Sequence, residues 1–499
     1  MKKIFSIAAL FIAAQSGFAQ LDSQLQSIFE DFELMGMSVA VVCGQGVDTY
    51  HYGLKDHTRT LEVDDSTMYR IASISKLVAA TGLMKLYDDG LFALDDDIST
   101  YLGYEVRNPN WPNVPITFRM LLSHTGSLQD GTGYSGFLGD TYGNENPPSI
   151  SEMLVPGGDN YTANMWRQEE PGTFFIYSNV NYGVIGTLIE AISGVRFDVF
   201  MKNEIFDPLD IAGSFNVADI ENIDNLAVLY RNEGGWTPQV DNFQGVPPTP
   251  VDLSGYVPGT NGFIFAPQGG LRCSVFDLAK ILVLHQQGAW NGVQLLQSST
   301  LEMMHTPQWT YNGSNGDNYY GLFRSWGLGV QCTTDTDDGD YIWEDFLFRG
   351  HAGEAYGLIS DLYWYSNDVP GGFVFMTNGA WNGFDFGNES AFYTLEEDVF
   401  QAVNVGNLQG CSLDVHEVEA GSCVLLYPNP SPSQLLLSSK CNELPESIRV
   451  YGSNGQCVEM LEMNSSSLAI QTSHWPAGLY HIELIYSNRI EQLRFQFIK

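Results

Sequence analysis

The sequence predicts an α/β domain: an antiparallel sheet flanked by helices, with a mainly helical subdomain, followed by a small C-terminal β-sandwich. Three observations lead there. Strand-like segments stand at both ends of the first 403 residues, at 37–56 and 348–380, with helical patterns between them. From residue 425 onward the text consists of short alternating strands with no helical period. The length of 499 residues exceeds what one compact core holds, so the chain divides.

Taken in order, MKKIFSIAALFIAAQSGFAQ carries Lys2 and Lys3, an apolar run from Ile4 to Ala14, and small residues at Gly17 and Ala19. This reads as a secretory signal peptide, residues 1–19, too short to span a membrane. Residues 22–403 form the larger domain. It opens with two strands turning at Gly44-Gln45-Gly46. Helices are predicted over 74–88, 117–122, 182–193, 276–287 and 390–403, and late strands hinge at Pro370-Gly371-Gly372. Two Gly/Tyr/Pro-rich stretches, 127–170 and 234–268, are predicted as long loops walling a cleft. Residues 404–424 read as a linker. The sandwich, 425–499, contains hairpins about Ser453-Asn454-Gly455 and Ser487-Asn488.

The net charge of −37, from 59 acidic against 22 basic residues, argues against nucleic-acid or acidic-membrane binding. No later segment reaches membrane-spanning length. Cys411, Cys423, Cys441 and Cys457 crowd the end and are expected to pair as disulfides, with connectivity open. Without C-x-x-C or H-E-x-x-H, no metal site or cofactor is expected, and Asp335–Asp340 reads as an acidic surface turn.

Three stretches carry chemistry. In IASISKLVAATGLMKLYDDG (71–90), Ser73, Lys76, Leu77, Ala80, Met84 and Tyr87 share one helix face, so Lys76 lies among interior residues one turn from Ser73. A serine hydroxyl needs a base, and burial lowers the pKa of an amine enough to make it one. In PGTFFIYSNVNYGVIGTLIEAISG (171–194), a strand runs into a helix through Tyr177-Ser178-Asn179, offering a phenol and a carboxamide. The same three residues also suit an ordinary helix cap. In Arg349-Gly350-His351-Ala352-Gly353, period-two alternation puts Arg349, His351 and Gly353 on one face, with Gly353 permitting close approach of a backbone.

Together these blocks resemble the serine β-lactamase and penicillin-binding-protein superfamily, in which S-x-x-K, Y-x-N and K-T-G or H-x-G line one cleft. MYRIASISKLVAATGLMKLYDDGLFALDDDISTYL, ITFRMLLSHTGSL, GGLRCSVFDLAKIL, WGLGV and RGHAGEAYG resemble that family in its own order, over about residues 25–403. The resemblance implies a β-lactamase/transpeptidase-like fold, Ser73 as acylated nucleophile, Lys76 as general base, Tyr177 sharing proton transfer and Asn179 positioning the substrate amide. It implies His351 and Gly353 as the recognition strand and the N–H groups of Ser73 and Glu354 as oxyanion hole. Ser123-His124-Thr125-Gly126 matches a scaffold block. The Tyr-x-Asn form is similar to class C β-lactamases, D,D-peptidases and related esterases.

Two departures bear on substrate. His351 stands where a lysine would hold a carboxylate, with Arg349 the available substitute. Glu354 sets an acid beside the oxyanion hole and disfavours anionic ligands. The expected function is a secreted serine hydrolase for a small-molecule or peptide ester or amide, esterase- or D-amino-acid peptidase-like. The alternatives are a true class C-like β-lactamase, a non-catalytic penicillin-recognising surface protein and an adhesin using the sandwich. The C-terminal segment resembles the sorting domain of type IX secretion cargo in Bacteroidetes, through Tyr427-Pro428-Asn429-Pro430, Gly478-Leu479-Tyr480 and a terminal lysine. That implies the type IX machinery as partner and delivery outside the cell or to its surface.

Overall fold

A computed structural model describes residues 20–144, 146–337, 339–365 and 371–404, and the strands with parts of their connections between 424 and 497. The stretch read as a signal peptide, the Pro370 hinge residue, Cys411, Cys423, Cys441, Pro428–Pro430, both expected C-terminal hairpin turns, the terminal lysine and most of the expected linker lie outside the described residues. The chain divides into two compact units, one of Met1–Val42 with Val47–Leu408 and one of Cys43–Gly46 with Gln409–Lys499.

In the first unit nine strands lie side by side. Their order is Leu61–Glu62, Gly46–Asp56, Gly36–Cys43, Gly371–Thr377, Leu358–Tyr365, Phe348–Ala355, Gln331–Cys332, Ser325–Trp326 and Trp309–Thr310. The first strand of the unit thus neighbours the last, as strands at both ends of the domain require. Strands Leu358–Tyr365 and Gly371–Thr377 are buried along their whole length, so both faces of the sheet are covered. Successive side chains point to opposite faces. Trp364 meets His285 of the helix Val275–Gln287 at 5.4 Å between rings, and Tyr363 meets Phe400 of the helix Thr394–Val403 at 6.5 Å.

The helices Ile74–Asp88, Phe118–Leu122, Asn179–Ser193, Val275–Gln287 and Thr394–Val403 occupy the segments expected to be helical. The first departs in one respect. It is buried almost all round, from Ile74 to Met84 without interruption, rather than along one face. The stretch 127–170 is not a bare loop, because it contains the helices Thr132–Gly143 and Ser151–Leu154. Its Gly and Tyr content masks a weak helical period. The stretch 234–268 likewise holds a strand, Trp236–Val240, and a short 3-10 turn, Gly262–Phe265. Asp340 corrects the surface-turn reading: it is fully buried and accepts from the Thr334 N–H at 2.7 Å and the Thr334 hydroxyl at 3.0 Å.

The second unit has two antiparallel sheets, one of three strands and one of four. Leu437 and Ile470 from one sheet share a core with Ile448, Val450, Tyr480, Ile482 and Leu484 from the other, which makes a sandwich. The cysteine expectation needs correction. Cys457 is a free, exposed thiol, whereas Cys43 is disulfide-bonded.

Inside the first unit an acid faces an acid. Asp361 is fully buried on the central strand with neither oxygen hydrogen-bonded, and Glu396, also buried, accepts from the Tyr393 N–H at 2.6 Å. Burial first, and the Glu396 charge second, hold the Asp361 carboxyl well above the usual range; Glu396 is raised too, with burial as the main cause. Glu354 and Glu397 are the other ionisable groups whose charges act on Glu396, and the pair in turn raises the Tyr363 phenol. The folded state therefore holds these protons more tightly than the unfolded chain. Their contribution to stability is full at and below the ordinary carboxylate range and is lost as pH rises above it. Urea unfolding at about pH 5 and about pH 8 should show the native chain losing more stability than Glu396→Gln, by roughly 1 kcal/mol or more. Glutamine keeps the acceptor of the helix cap, so equal losses in the two proteins would refute a coupled pair of raised carboxyls.

Candidate active site

The nucleophile turn is clamped before any chemistry is considered. The Ile71 N–H donates to the Leu271 carbonyl at 3.0 Å, and the Leu271 N–H donates back to Ser75 Oγ at 3.1 Å. Ser360 Oγ lies 3.1 Å from the carbonyls of both Ile71 and Gly353, tying the turn to the central sheet. Ala72 adopts a left-handed φ of 49°, uncommon for a residue with a Cβ, and sets Ser73 as the cap of the helix Ile74–Asp88. Among the described residues the Ser73 N–H has no acceptor.

Lys76 is 0% exposed. Its Nζ lies 2.9 Å from Ser73 Oγ and 2.7 Å from the Gln268 carbonyl, and sits 4.9 Å above the centroid of the Tyr177 ring. Burial strips the ammonium of hydration and lowers its pKa to about 7, with Asp130 pulling weakly the other way. The amine is thus a base at neutral pH, in contact with the hydroxyl it would deprotonate. It lies over the face of the Tyr177 ring and makes no hydrogen bond to the Tyr177 hydroxyl.

Tyr177 is held from both flanks by one histidine. The Ile176 N–H donates to the His124 carbonyl at 2.9 Å, and the Ser178 N–H donates to His124 Nδ1 at 3.1 Å. The Tyr177 hydroxyl is buried and makes no hydrogen bond of full geometry; burial pushes the phenol well above its ordinary range, with nearby Ser73 pulling it down. It stays protonated. The helix beginning at Asn179 is capped from a distance. Asp130 accepts from the Val180 N–H at 3.0 Å, the Asn179 N–H at 3.1 Å and the Ser178 hydroxyl at 2.9 Å. Neither Ser178 nor Asn179 caps with its own side chain. Asn179 Nδ2 also donates to Asp130 at 2.7 Å, which fixes the carboxamide and leaves its Oδ1 as the open atom.

The strand Phe348–Ala355 forms the opposite wall. Its neighbour Gln331–Cys332 pairs only with Gly350 and Arg349, so from His351 onward that edge is uncovered by a strand. A Cβ on Gly353 would stand 3.1 Å from the Ser73 nitrogen, 2.9 Å from the Ile71 carbonyl and 2.5 Å from Ser360 Oγ. The glycine is thus required by the approach of the nucleophile turn, in addition to any substrate backbone. His351 is fully buried, and its Nδ1 donates to the Ala352 carbonyl at 2.6 Å, leaving Nε2 an acceptor without a partner. Burial and then the Lys76 charge lower its pKa to about 3, so it is neutral. Arg349 does not substitute for the missing cation. Its Nε donates to the His305 carbonyl at 3.0 Å and a terminal nitrogen donates to the Phe348 carbonyl at 2.9 Å. The Glu354 side chain is exposed and accepts from the Tyr393 hydroxyl at 2.8 Å.

Three contributors escaped the sequence reading: Asp130, the Gln268 carbonyl and Ser360. Asp130 sits inside the stretch read as a cleft wall, and a Gly-rich segment follows Gln268. Neither carries a spacing that sequence alone could tie to the serine.

A clamped serine, a buried amine against it, a neighbouring phenol and an open sheet edge define the class of serine β-lactamases and penicillin-binding proteins. The family model described as Beta-lactamase matches residues 24–393, and the chain belongs to that family. The model described as Secretion system C-terminal sorting domain matches residues 425–497, so the chain ends in a sorting domain of secreted and surface proteins. Penicillin-binding protein 4* of Bacillus subtilis is 28% identical over 37% of this chain and 39% of its own length. The chain therefore spans under two-fifths of that relative. Among solved structures, D-amino acid amidase from Ochrobactrum anthropi SV3 aligns with a TM-score of 0.54 at 20% identity, over 77% of this chain and 98% of that one. EstCE1, a hydrolase with promiscuous acyltransferase activity, aligns with a TM-score of 0.57 at 19% identity, over 79% and 99%. These likenesses concern the fold.

Gly353→Ala should push the nucleophile turn away from the strand. The expected outcome is a loss of roughly 1–3 kcal/mol in thermal or urea unfolding, together with at least ~10-fold slower fluorophosphonate labelling of Ser73. Unchanged labelling would show that the close approach is unimportant.

Proposed function

We propose that the chain is a secreted serine hydrolase that cleaves a small ester or amide through an acyl-enzyme on Ser73, of the esterase or D-amino-acid amidase and peptidase kind. The observation that carries this reading is the buried Lys76 amine 2.9 Å from the Ser73 hydroxyl. Neutral Lys76 takes the Ser73 proton as Oγ attacks the carbonyl carbon. The N–H groups of Ser73 and Glu354 face the developing oxyanion. Tyr177, protonated and unpartnered, donates to the departing alcohol or amine and recovers a proton from Lys76. Water, deprotonated by the same pair, then releases the acid and restores Ser73. Asn179 and the His351 Nε2 acceptor orient the substrate's polar groups.

A β-lactamase reading is weaker on one specific ground: neither strand residue that would hold a penicillin carboxylate is a free cation. His351 is neutral and Arg349 is committed to the His305 carbonyl. A panel on purified protein decides between them. Short-chain p-nitrophenyl esters and D-amino-acid amides should turn over faster than nitrocefin, and the reverse order would make β-lactam hydrolysis the primary activity.

For a neutral ester, kcat/KM should rise with pH through about 7 and level off above it, because Lys76 becomes a free amine there. Lys76→Met should lower kcat/KM roughly 10²–10⁴-fold, and Ser73→Ala should abolish fluorophosphonate labelling. A flat profile, or labelling that survives Ser73→Ala, removes the mechanism and favours a binding protein. We assign export to the signal peptide at 1–19 followed by the type IX machinery acting on residues 425–499. A chain lacking 405–499 should keep its turnover and lose delivery to the surface, whereas an adhesin would lose function outright.

A further inference from the structure

Glu354 follows the glycine that touches the Ser73 turn, and its side chain is exposed. Among the described residues no Lys or Arg pairs with it, and its one hydrogen bond comes from the Tyr393 hydroxyl, 2.8 Å away. An arc of rings begins at the catalytic phenol and returns to this carboxylate. Successive centroids lie at 6.4 Å for Tyr177–Tyr319, 6.2 Å for Tyr319–Tyr320, 6.3 Å for Tyr320–Phe386 and 6.5 Å for Phe386–Tyr393. Three of these rings face water to an unusual degree: Tyr320 is 84% exposed, Phe386 69% and Tyr319 53%. Tyr319 and Tyr320 are also consecutive residues in the left-handed region, with φ of 53° and 60°. Bulky side chains seldom adopt that conformation, and neighbours that do so tend to mark functional sites.

We propose, resting on the hydrolase reading above, that this arc is a subsite for a protonated amine of the substrate. Its ammonium would sit against the Glu354 carboxylate and the faces of Tyr319, Tyr320, Phe386 and Tyr393. Aromatic faces attract cations, and an exposed carboxylate without a basic partner is a ready counter-charge. The raised Tyr319 phenol, shifted by burial and then by the Glu354 charge, agrees with the closeness of ring and carboxylate. Arg231 lines a hollow of about 310 Å³ beside Glu354, with Trp381 and Phe384, and its charge would repel an ammonium from that side. The amine therefore belongs on the Tyr319–Phe386 side, and the hollow suits an uncharged part of the same molecule. An anionic substrate meets a carboxylate at this position and is disfavoured.

The test uses the full chain and does not depend on which bond is cleaved. Protection of Ser73 from a fluorophosphonate is measured at pH 7 with benzylamine and with benzyl alcohol. These probes share a ring and differ in the ammonium. Benzylamine should protect at a ~10-fold or more lower concentration, and Glu354→Gln should erase most of that ratio. Tyr320→Ala, a change on a solvent-facing side chain, should reduce the ratio a few-fold and keeps the test decisive where the glutamate variant folds poorly. Equal protection by the two probes, or a ratio untouched by both substitutions, overturns the subsite while Ser73 labelling leaves the hydrolase reading in place. Absence of labelling in the native chain overturns that reading and the subsite together.

Discussion

The structure turns on an ammonium kept out of water. A cation in a protein interior costs several kcal/mol unless it is paired or gives up its proton. Lys76 has no carboxylate in contact. Among the described residues its charge is met by a backbone carbonyl, a serine hydroxyl and the faces of two phenols, Tyr177 and Tyr182. That is too little to hold a full charge and enough to hold an amine in place, which is why its pKa falls to about 7. A structural lysine would reach for water or for an acid, as Lys85 does with Asp89. Lys76 does neither, although Asp130 lies near enough to act on it weakly. Asp130 is instead occupied with the N–H groups of the next helix.

That arrangement depends on a glycine where the entry turn of the helix meets the strand. Gly353 lets the strand close on the Ser73 turn, and the strand's uncovered edge continues past it through His351 and Glu354. Strand register, nucleophile geometry and cleft wall are thereby one constraint. The clamp from Leu271, Ser75 and Ser360 holds the turn in a conformation that Ala72 would not adopt unaided. Catalytic groups placed on rigid elements in this way need little reorganisation when a substrate arrives.

How much of this the sequence discloses depends on range. The serine–lysine pair is visible because three residues along a helix are neighbours in space. The sheet's assembly from both ends was readable because strand-like text stands at both ends of the domain with helices between. Asp130 was not readable: its partners lie 48 to 50 residues away, and nothing local marks a carboxylate that caps a distant helix. The helix at Thr132–Gly143 was missed because glycine and tyrosine dilute its period, and tertiary contacts stabilise it regardless. Arg349 shows the opposite failure. Alternation along the strand correctly set it on the side of His351, yet a nearby helix end with an open carbonyl captured the guanidinium. Face is a property of the backbone period, whereas contact depends on what the remainder of the fold brings there.

Charge around the cleft then separates this site from a carboxylate-binding one. Burial holds His351 neutral, and a histidine with a pKa near 3 cannot become a cation at any pH where Lys76 serves as base. The two requirements exclude each other through proximity, since the Lys76 charge itself helps keep His351 unprotonated. A strand lysine in place of His351 would face the same repulsion and the same burial, so this position disfavours a cation whichever side chain stands there. Next to Gly353 the same strand carries an acid, the exposed carboxylate of Glu354, which accepts from the Tyr393 hydroxyl. From the acceptor nitrogen of His351 to the acid beyond Gly353, the groups lining this wall accept hydrogen bonds and offer no positive charge.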